Sequence, residues 1–364
     1  MAVTPSPPIA VPTGFLPVLG HLTSESRRYF GAPDVSLEPV AVFARPFSDV
    51  LQVRIVNAQS RPHAFVKRFK LREPVEMWRT ELRRRVGREF ETCQRVHEAL
   101  SGAPGLSAVR PIACFADDFI IVTEQVPGRT LGAILEERAA WYPAAETVED
   151  LSLVLERIGS WIRTFQAAMP QAGRISLDDV RCYLDERLKA IVGSPASGFS
   201  ELDRRSVLRY FDETAATVER DELREATTHA DFCPANVLVH ERDVAVIDFD
   251  RATSGCRYLD VARMFTQLEF LQAKPKFRPD VVGRLQSALL RGFDPGLDPA
   301  KPLFRLMVLQ HTVCQFKKLA QRRVASPRLA WVWYLRRRHR NWLRSLAATP
   351  GSPSLVTNDL LERR

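Results

Sequence analysis

No stretch of this 364-residue chain is apolar over the ~18 residues that a membrane-spanning helix needs. Cysteine is sparse. The six residues (Cys93, Cys114, Cys182, Cys233, Cys256, Cys314) form no CxxC pair, which argues against a zinc site and against a secreted disulfide framework. A cytoplasmic, reducing setting fits that usage. Cys233, Cys256, His229 and His240 share no spacing typical of metal ligands. The opening MAVTPSPPIAVPTG lacks early Lys or Arg and is broken by prolines, so it makes a poor secretory signal and reads as a flexible leader over residues 1–36. No internal repeat is apparent.

Positive charge, in contrast, is abundant: 52 Lys and Arg stand against 43 Asp and Glu, a formal net charge of +9. Much of it lies in Lys317–Arg344, densest in LRRRHRNWLRSL. This balance favours anionic partners such as nucleotides, phosphorylated sugars or lipid headgroups. No nucleic-acid motif accompanies the charge, so no specific nucleic acid is expected. The length and the 45% apolar content allow two units with a sizeable core.

From Leu37 to Phe69 the pattern is strand-like: EPVAVFARPF, VLQVRIV and HAFVKRF, separated by turn-forming residues. A charged helix follows over Val75–Leu100, with Phe90, Cys93 and Val96 on one face. Another strand pair, VRPIACFADD and FIIVTEQV, comes next. Beyond it the chain turns helical: Leu131–Arg138, Val148–Ala168, Leu177–Val192 and Leu202–Ala226. Ile158, Trp161, Ile162 and Phe165 form the apolar stripe of the second of these and read as core.

The segment THADFCPANVLVHERDVAVIDFD, Thr228–Asp250, concentrates the chemistry. Asn236–His240 and Val244–Phe249 read as two strands with Glu241, Arg242 and Asp243 as the turn. Such a hairpin aims carboxylates and an amide at one point, and oxygen ligands of that kind suit a hard cation such as Mg²⁺.

These residues resemble the kinase-like superfamily, within it the aminoglycoside and choline phosphotransferase branch. His229, Asp231 and Asn236 match H-x-D-x-x-x-x-N, and Asp248, Phe249 and Asp250 stand where protein kinases have D-F-G. The resemblance implies an α+β, protein-kinase-like two-lobed fold. A small antiparallel-sheet lobe over residues 37–125 would join a mainly helical lobe over 126–346, with a flexible tail over 347–364. It implies ATP and Mg²⁺ as cofactors and transfer of the γ-phosphoryl group to a hydroxyl of a small molecule or saccharide. Asp231 would be the base and His229 a support of its loop. Asn236, Asp248 and, second in rank, Asp250 would hold metal, Asp250 alternatively pairing with Arg251 or Lys67. Lys67, pointing inward with Phe65 and Phe69, would hold the α- and β-phosphates, its rotamer fixed by Glu89, with Glu91 as the alternative. Ser48 lies in the phosphate-covering loop, although ARPFSDVLQ has no glycine. The Glu124 carbonyl and Val126 N–H would meet adenine at the hinge. Asp260 would brace the catalytic loop, with Cys256 where relatives carry an Asp. Asp178, Asp179, Asp185 and Glu186 are available to a cationic or polyhydroxy acceptor, or form a solvated helix face.

Two other readings compete: a nucleotide-binding regulatory module without catalysis, and a membrane-surface scaffold. The latter rests on the basic, Trp-rich segment 328–346, which is suited to peripheral contact with an anionic membrane. The alternative for that segment is a terminal helix with its aromatic face docked on the lobe and its arginines in water.

Overall fold

Alternation of buried and exposed residues along the strands builds a sheet covered on both faces. The computed structural model describes residues 10–57, 63–71, 75–322 and 329–348. In chain order these form α1 (Leu16–Ser24), α2 (Ser26–Phe30), β1 (Ser36–Ala44), β2 (Ser48–Val56), β3 (His63–Phe69), α3 (Glu76–Leu100), β4 (Leu106–Ala108), β5 (Pro111–Phe115) and β6 (Ile120–Glu124). After β7 (Arg129–Thr130) come α4 (Leu131–Arg138), α5 (Ala145–Ala168), β8 (Pro170–Arg174), α6 (Leu177–Val192), α7 (Glu201–Ala215), β9 (Arg224–Thr228), β10 (Val237–His240), β11 (Asp243–Val246) and β12 (Thr253–Cys256). Four helices close the chain: α8 (Leu259–Leu271), α9 (Pro279–Phe293), α10 (Pro302–Gln321) and α11 (Leu329–Ala348).

The chain divides into two compact units, one running to Arg129 and including Asn236–Ala252, the other comprising Thr130–Ala235 and the chain from Thr253 onward. The hairpin segment Asn236–Ala252 therefore belongs with the sheet unit, which a division at residue 125 did not anticipate.

In the first unit the sheet order is β1-β2-β3-β6-β5, with every neighbouring pair antiparallel. Leu51, Val53, Ile55, Ala64, Val66, Ile120 and Val122 make one buried face. The N-terminal segment covers that face, because Phe15, Val18, Leu22 and Phe30 are buried in the same cluster. This corrects the expectation of a flexible leader to residue 36. The prolines misled: Pro17 sits in the first turn of α1, where its missing N–H is harmless, and the apolar residues behind it recur at helical spacing. The other sheet face buries Phe69 and Ile121 against Val86 of α3. In the hairpin, Val237 pairs with Val246 and His240 with Asp243, closing on a two-residue turn whose Glu241 has φ +54°. On its other edge β11 runs parallel to β4, Val244 opposite Leu106.

In the second unit, α5 and α9 approach closely enough that only hydrogen fits at two contacts. A Cβ on Gly159 would collide with the Leu289 carbonyl, and one on Gly292 with the Glu156 carbonyl. Ser160 Oγ donates to the Gly292 carbonyl at 3.2 Å in the same seam. The contact fixes α5, whose Ile158, Trp161, Ile162 and Phe165 are fully buried. Trp161 stacks on Phe232, 5.6 Å between ring centroids, directly beside Asp231. Gly292→Ala is expected to destabilise this unit by roughly 1–3 kcal/mol through overpacking. Chemical denaturation followed by tryptophan fluorescence checks it, and an unchanged midpoint would mean that the helices separate freely.

The terminal helix α11 docks differently from expectation. Val332, His339 and Leu343 are its buried residues, whereas Trp331, Trp333 and Tyr334 are exposed. Its arginines turn inward in part: Arg336 donates to the Leu319 and Arg322 carbonyls, and Arg344 pairs with Asp203. Bare carbonyls at the end of α10 and a carboxylate at the start of α7 supply the acceptors that draw them in. Among the described residues no helix is long and apolar enough to cross a membrane. Arg328 and residues 349–364 lie outside the described part.

Candidate active site

Lys67 emerges from the middle of β3, and its ammonium meets two carboxylates, Glu89 Oε1 at 3.1 Å and Asp248 Oδ1 at 2.6 Å. It also lies 4.6 Å from the centroid of the Phe69 ring. Burial alone would weaken its charge, but Glu89 and Asp248 outweigh it and hold the ammonium well above its usual pKa. Glu89, 5% exposed on α3, is pushed up to about 7 by burial, although Lys67 opposes the shift. The two shifts pull against each other. The ammonium has two carboxylates to satisfy it, whereas Glu89 shares that ammonium and keeps a buried Oε2 without a partner among the described residues. The charge on Lys67 is thus the firmer of the two.

This sets a pH dependence. Folded Glu89 keeps its proton to about 7, against 4.5 ordinarily, so between those values the folded protein binds more protons than the unfolded chain. Its stabilising contribution is complete below 4.5 and is lost as pH rises through 7. Glu89→Gln should remove a stability difference between pH 5 and pH 8 on the order of 2–3 kcal/mol. Paired denaturant curves read the effect; parallel pH profiles for the two proteins would contradict it.

The hairpin brings the oxygen donors together. Ile247 N–H donates to the Asn236 carbonyl at 3.1 Å, so Asn236 and Asp248 share the open end of the ladder. Asp248 adopts φ +70°, a left-handed conformation that Asp tolerates better than most residues. Asp250 is committed elsewhere: it pairs with Arg85 of α3, not with Arg251 or Lys67 as the sequence suggested. Arg85 stands one helical turn before Glu89, so a single face of α3 holds both Lys67 and Asp250. The hairpin donors are one carboxylate and one amide, both hard oxygen ligands of the type that Mg²⁺ accepts. Among the described residues no three His, Cys, Asp or Glu side chains form a metal site by themselves.

The His229–Asp231 segment lies in the second unit. His229 N–H donates to Asp260 Oδ2 at 2.6 Å and Ala230 N–H to Asp260 Oδ1 at 2.9 Å. Asp260 is 1% exposed; burial raises its pKa, and the hydrogen bonds from the two main-chain amides resist that rise. This bracing, implied by resemblance alone, is present in the structure. His229 is wholly buried, and its Nδ1 accepts from Asp231 N–H at 3.3 Å. One turn along α8, Arg263 donates to the Ala230 carbonyl at 3.1 Å and pairs with the Asp231 carboxylate. Sequence reasoning missed Arg263, as it missed Arg85. The available signal was the Asp-x-x-Arg spacing, which sets both side chains on one helix face.

Other candidates fall outside these clusters. Ser48 is buried at the first position of β2, and its carbonyl accepts from Arg45 N–H at 2.8 Å to close the glycine-free turn. Glu124 ends β6, its side chain paired with Arg110 and its N–H bonded to the Arg110 carbonyl at 3.0 Å. Val126 lies two residues beyond that strand. In the helical unit, Asp185 is neutralised by Lys189 at 2.9 Å and by Arg204, so it is not an open carboxylate for a cationic acceptor.

A lysine on a sheet strand tied to a helical glutamate, followed by a braced HxD loop and a hairpin that carries Asn236 and Asp248, fits the protein-kinase-like α+β fold. The sequence pattern of the phosphotransferase enzyme family matches residues 49–303, and the chain belongs to that family. Solved structures agree on the fold. An aminoglycoside phosphotransferase, APH(4)-Ia, in ternary complex with ADP and hygromycin B, is 14% identical with a TM-score of 0.54, covering 91% of this chain and 99% of that one. Amicoumacin kinase hAmiN in complex with AMP-PNP, Ca²⁺ and Ami is 16% identical with a TM-score of 0.52, covering 83% and 88%. A choline kinase from Cryptosporidium parvum is 12% identical with a TM-score of 0.51, covering 92% and 95%. No curated protein sequence matches this chain.

Proposed function

We propose that this phosphotransferase moves the γ-phosphoryl group of ATP, with Mg²⁺, to a hydroxyl of a small molecule or saccharide. The observation that carries the reading is the bridge from Lys67 to Glu89 and Asp248, which sets a fixed cation beside the hairpin's oxygen donors. When bound, Mg²⁺ would neutralise the charge on the β- and γ-phosphates, with Asn236 and Asp248 as its protein ligands. Lys67 would move from Asp248 to the α- and β-phosphates while Glu89 keeps its rotamer. Asp231 would orient the acceptor hydroxyl and take its proton at Oδ, and Arg263 would hold that carboxylate aligned. His229 and Asp260 keep the loop still and transfer nothing. Neighbours of the same fold bind ADP or AMP-PNP alongside hygromycin B or Ami, which supports a nucleotide and a small-molecule acceptor here.

ADP release measured across small alcohols, amino sugars and cell-envelope saccharides tests the proposal, the expected result being acceptor-stimulated, Mg²⁺-dependent turnover. Nucleotide binding with no stimulation by any acceptor would identify a regulatory module instead. ATP as donor fits a cytoplasmic site of action. Peripheral contact with an anionic membrane through residues 328–346 is a separate proposal, supported by exposed Trp331 and Trp333. It is abandoned if the protein fails to sediment with anionic vesicles at low salt.

A further inference from the structure

Helix α3 grips the end of the hairpin at three levels, all within the first unit. Arg85, Glu89 and Cys93 recur every four residues and so share one face of the helix. Arg85 pairs with Asp250, Glu89 meets Lys67 at 3.1 Å, and the Cys93 thiol lies within hydrogen-bonding reach of the Phe249 main chain. Phe249 is itself buried, and its carbonyl accepts from Ala252 N–H at 3.0 Å to close a turn. With Lys67 on Asp248 at 2.6 Å, each residue of Asp248-Phe249-Asp250 is tied down.

Charge gives the grip a purpose. Glu89, Asp248 and Asp250 all act on the Lys67 ammonium, so three carboxylates lie close around one cation. Lys67 bonds two of them, Glu89 and Asp248. The third, Asp250, has a side chain only 11% exposed, too dry for water alone to support its charge. It needs a cation of its own, and kinase-type sites can hold a second divalent ion. Here a guanidinium stands on the carboxylate instead. Arg85 does not lose its proton, and its planar fork matches a carboxylate. The buried Phe69 ring has its centroid 5.6 Å from the Arg85 guanidinium and 4.6 Å from the Lys67 ammonium, so one aromatic serves both cations. The Arg85 side chain is 36% exposed, which leaves this ion pair open to solvent ions from one side.

We propose that Arg85 is the resident counter-ion of Asp250 and holds that carboxylate out of metal binding, so that the hairpin takes one divalent cation with its nucleotide and not two. Arg85 is a positioning residue, acting through Asp250 without touching metal or substrate. The inference rests on the phosphotransfer reading for Asn236 and Asp248 as the metal's protein ligands.

The test counts bound metal. Mn²⁺, standing in for Mg²⁺, is titrated into the full chain with one equivalent of ADP, and free Mn²⁺ is read by electron paramagnetic resonance. One bound equivalent is expected for the wild-type protein and for Arg85→Lys, which keeps the charge. Arg85→Gln should bind two, because the uncovered Asp250 carboxylate recruits a cation. The double variant Arg85→Gln/Asp250→Asn should return to one; it leaves no bare charge and serves if Arg85→Gln does not fold. Circular dichroism checks each fold, and a role confined to packing would not change the count. Two equivalents in the wild-type protein, one in a folded Arg85→Gln, or none in the double variant would each overturn the inference while the phosphotransfer reading stands. A wild-type protein that binds neither ADP nor Mn²⁺ would refute that reading, and the inference with it.

Discussion

Asp248→Asn is expected to eliminate Mg²⁺-dependent ADP release from a protein that stays folded. The substitution removes one negative oxygen from the proposed metal set and one of the two carboxylates on Lys67, at 2.6 Å. Loss of a fixed charge that stabilises a developing phosphoryl transition state is worth on the order of 10³-fold or more in turnover. The fold survives for a backbone reason: position 248 sits at φ +70°, and Asn enters the left-handed region as readily as Asp. Lys67 retains Glu89, so no ammonium is stranded. Alanine would be a poorer choice, since it adds backbone strain of about 1 kcal/mol to the lost charge. ADP release at saturating acceptor, beside a thermal melt, decides the matter, and wild-type rates would remove Asp248 from the metal site.

The second large effect belongs to Asp231→Asn. An amide can align a hydroxyl but cannot take its proton, so kcat should fall about 10²- to 10⁴-fold with little change in the KM for ATP. The loop keeps its shape, because Asp260 holds it through the main-chain N–H groups of His229 and Ala230. Arg263 loses its anionic partner while keeping the Ala230 carbonyl at 3.1 Å. A raised KM at unchanged kcat would instead make Asp231 a binding residue.

Much of this was readable from residues alone. Leu131–Arg138 and Leu177–Val192 fold as helices with the bounds expected, since each is amphipathic and begins on a Thr or Ser whose side chain caps the first turn. The Lys67–Glu89 pair was implied by the family resemblance, with Glu91 as the alternative, and not by the residue types themselves. Arg85 and Arg263 were hidden among 52 basic residues, and their partners lie 165 and 32 positions away. For Arg263 the Asp-x-x-Arg spacing was a local hint, whereas no local pattern reports the Arg85 contact, which only the tertiary fold creates. The N-terminal helices were obscured for the opposite reason: prolines suggested disorder, while Phe15, Val18 and Leu22 needed a sheet face to cover before their spacing meant anything. On α11, composition grouped tryptophan with the core, yet the buried stripe is Val332, His339 and Leu343.

The sheet unit is discontinuous in sequence, and this governs how a ribosome can produce it. Lys67 waits for a partner 181 residues downstream, and β4 for a neighbour that leaves the exit tunnel only after the first four helices of the other unit. During translation the nascent amino-terminal half must therefore linger with an unfilled strand slot until Ala252 has been polymerised. A stop codon placed soon after residue 129 would release a fragment with that slot permanently open, a substrate for chaperones and not a free-standing nucleotide binder.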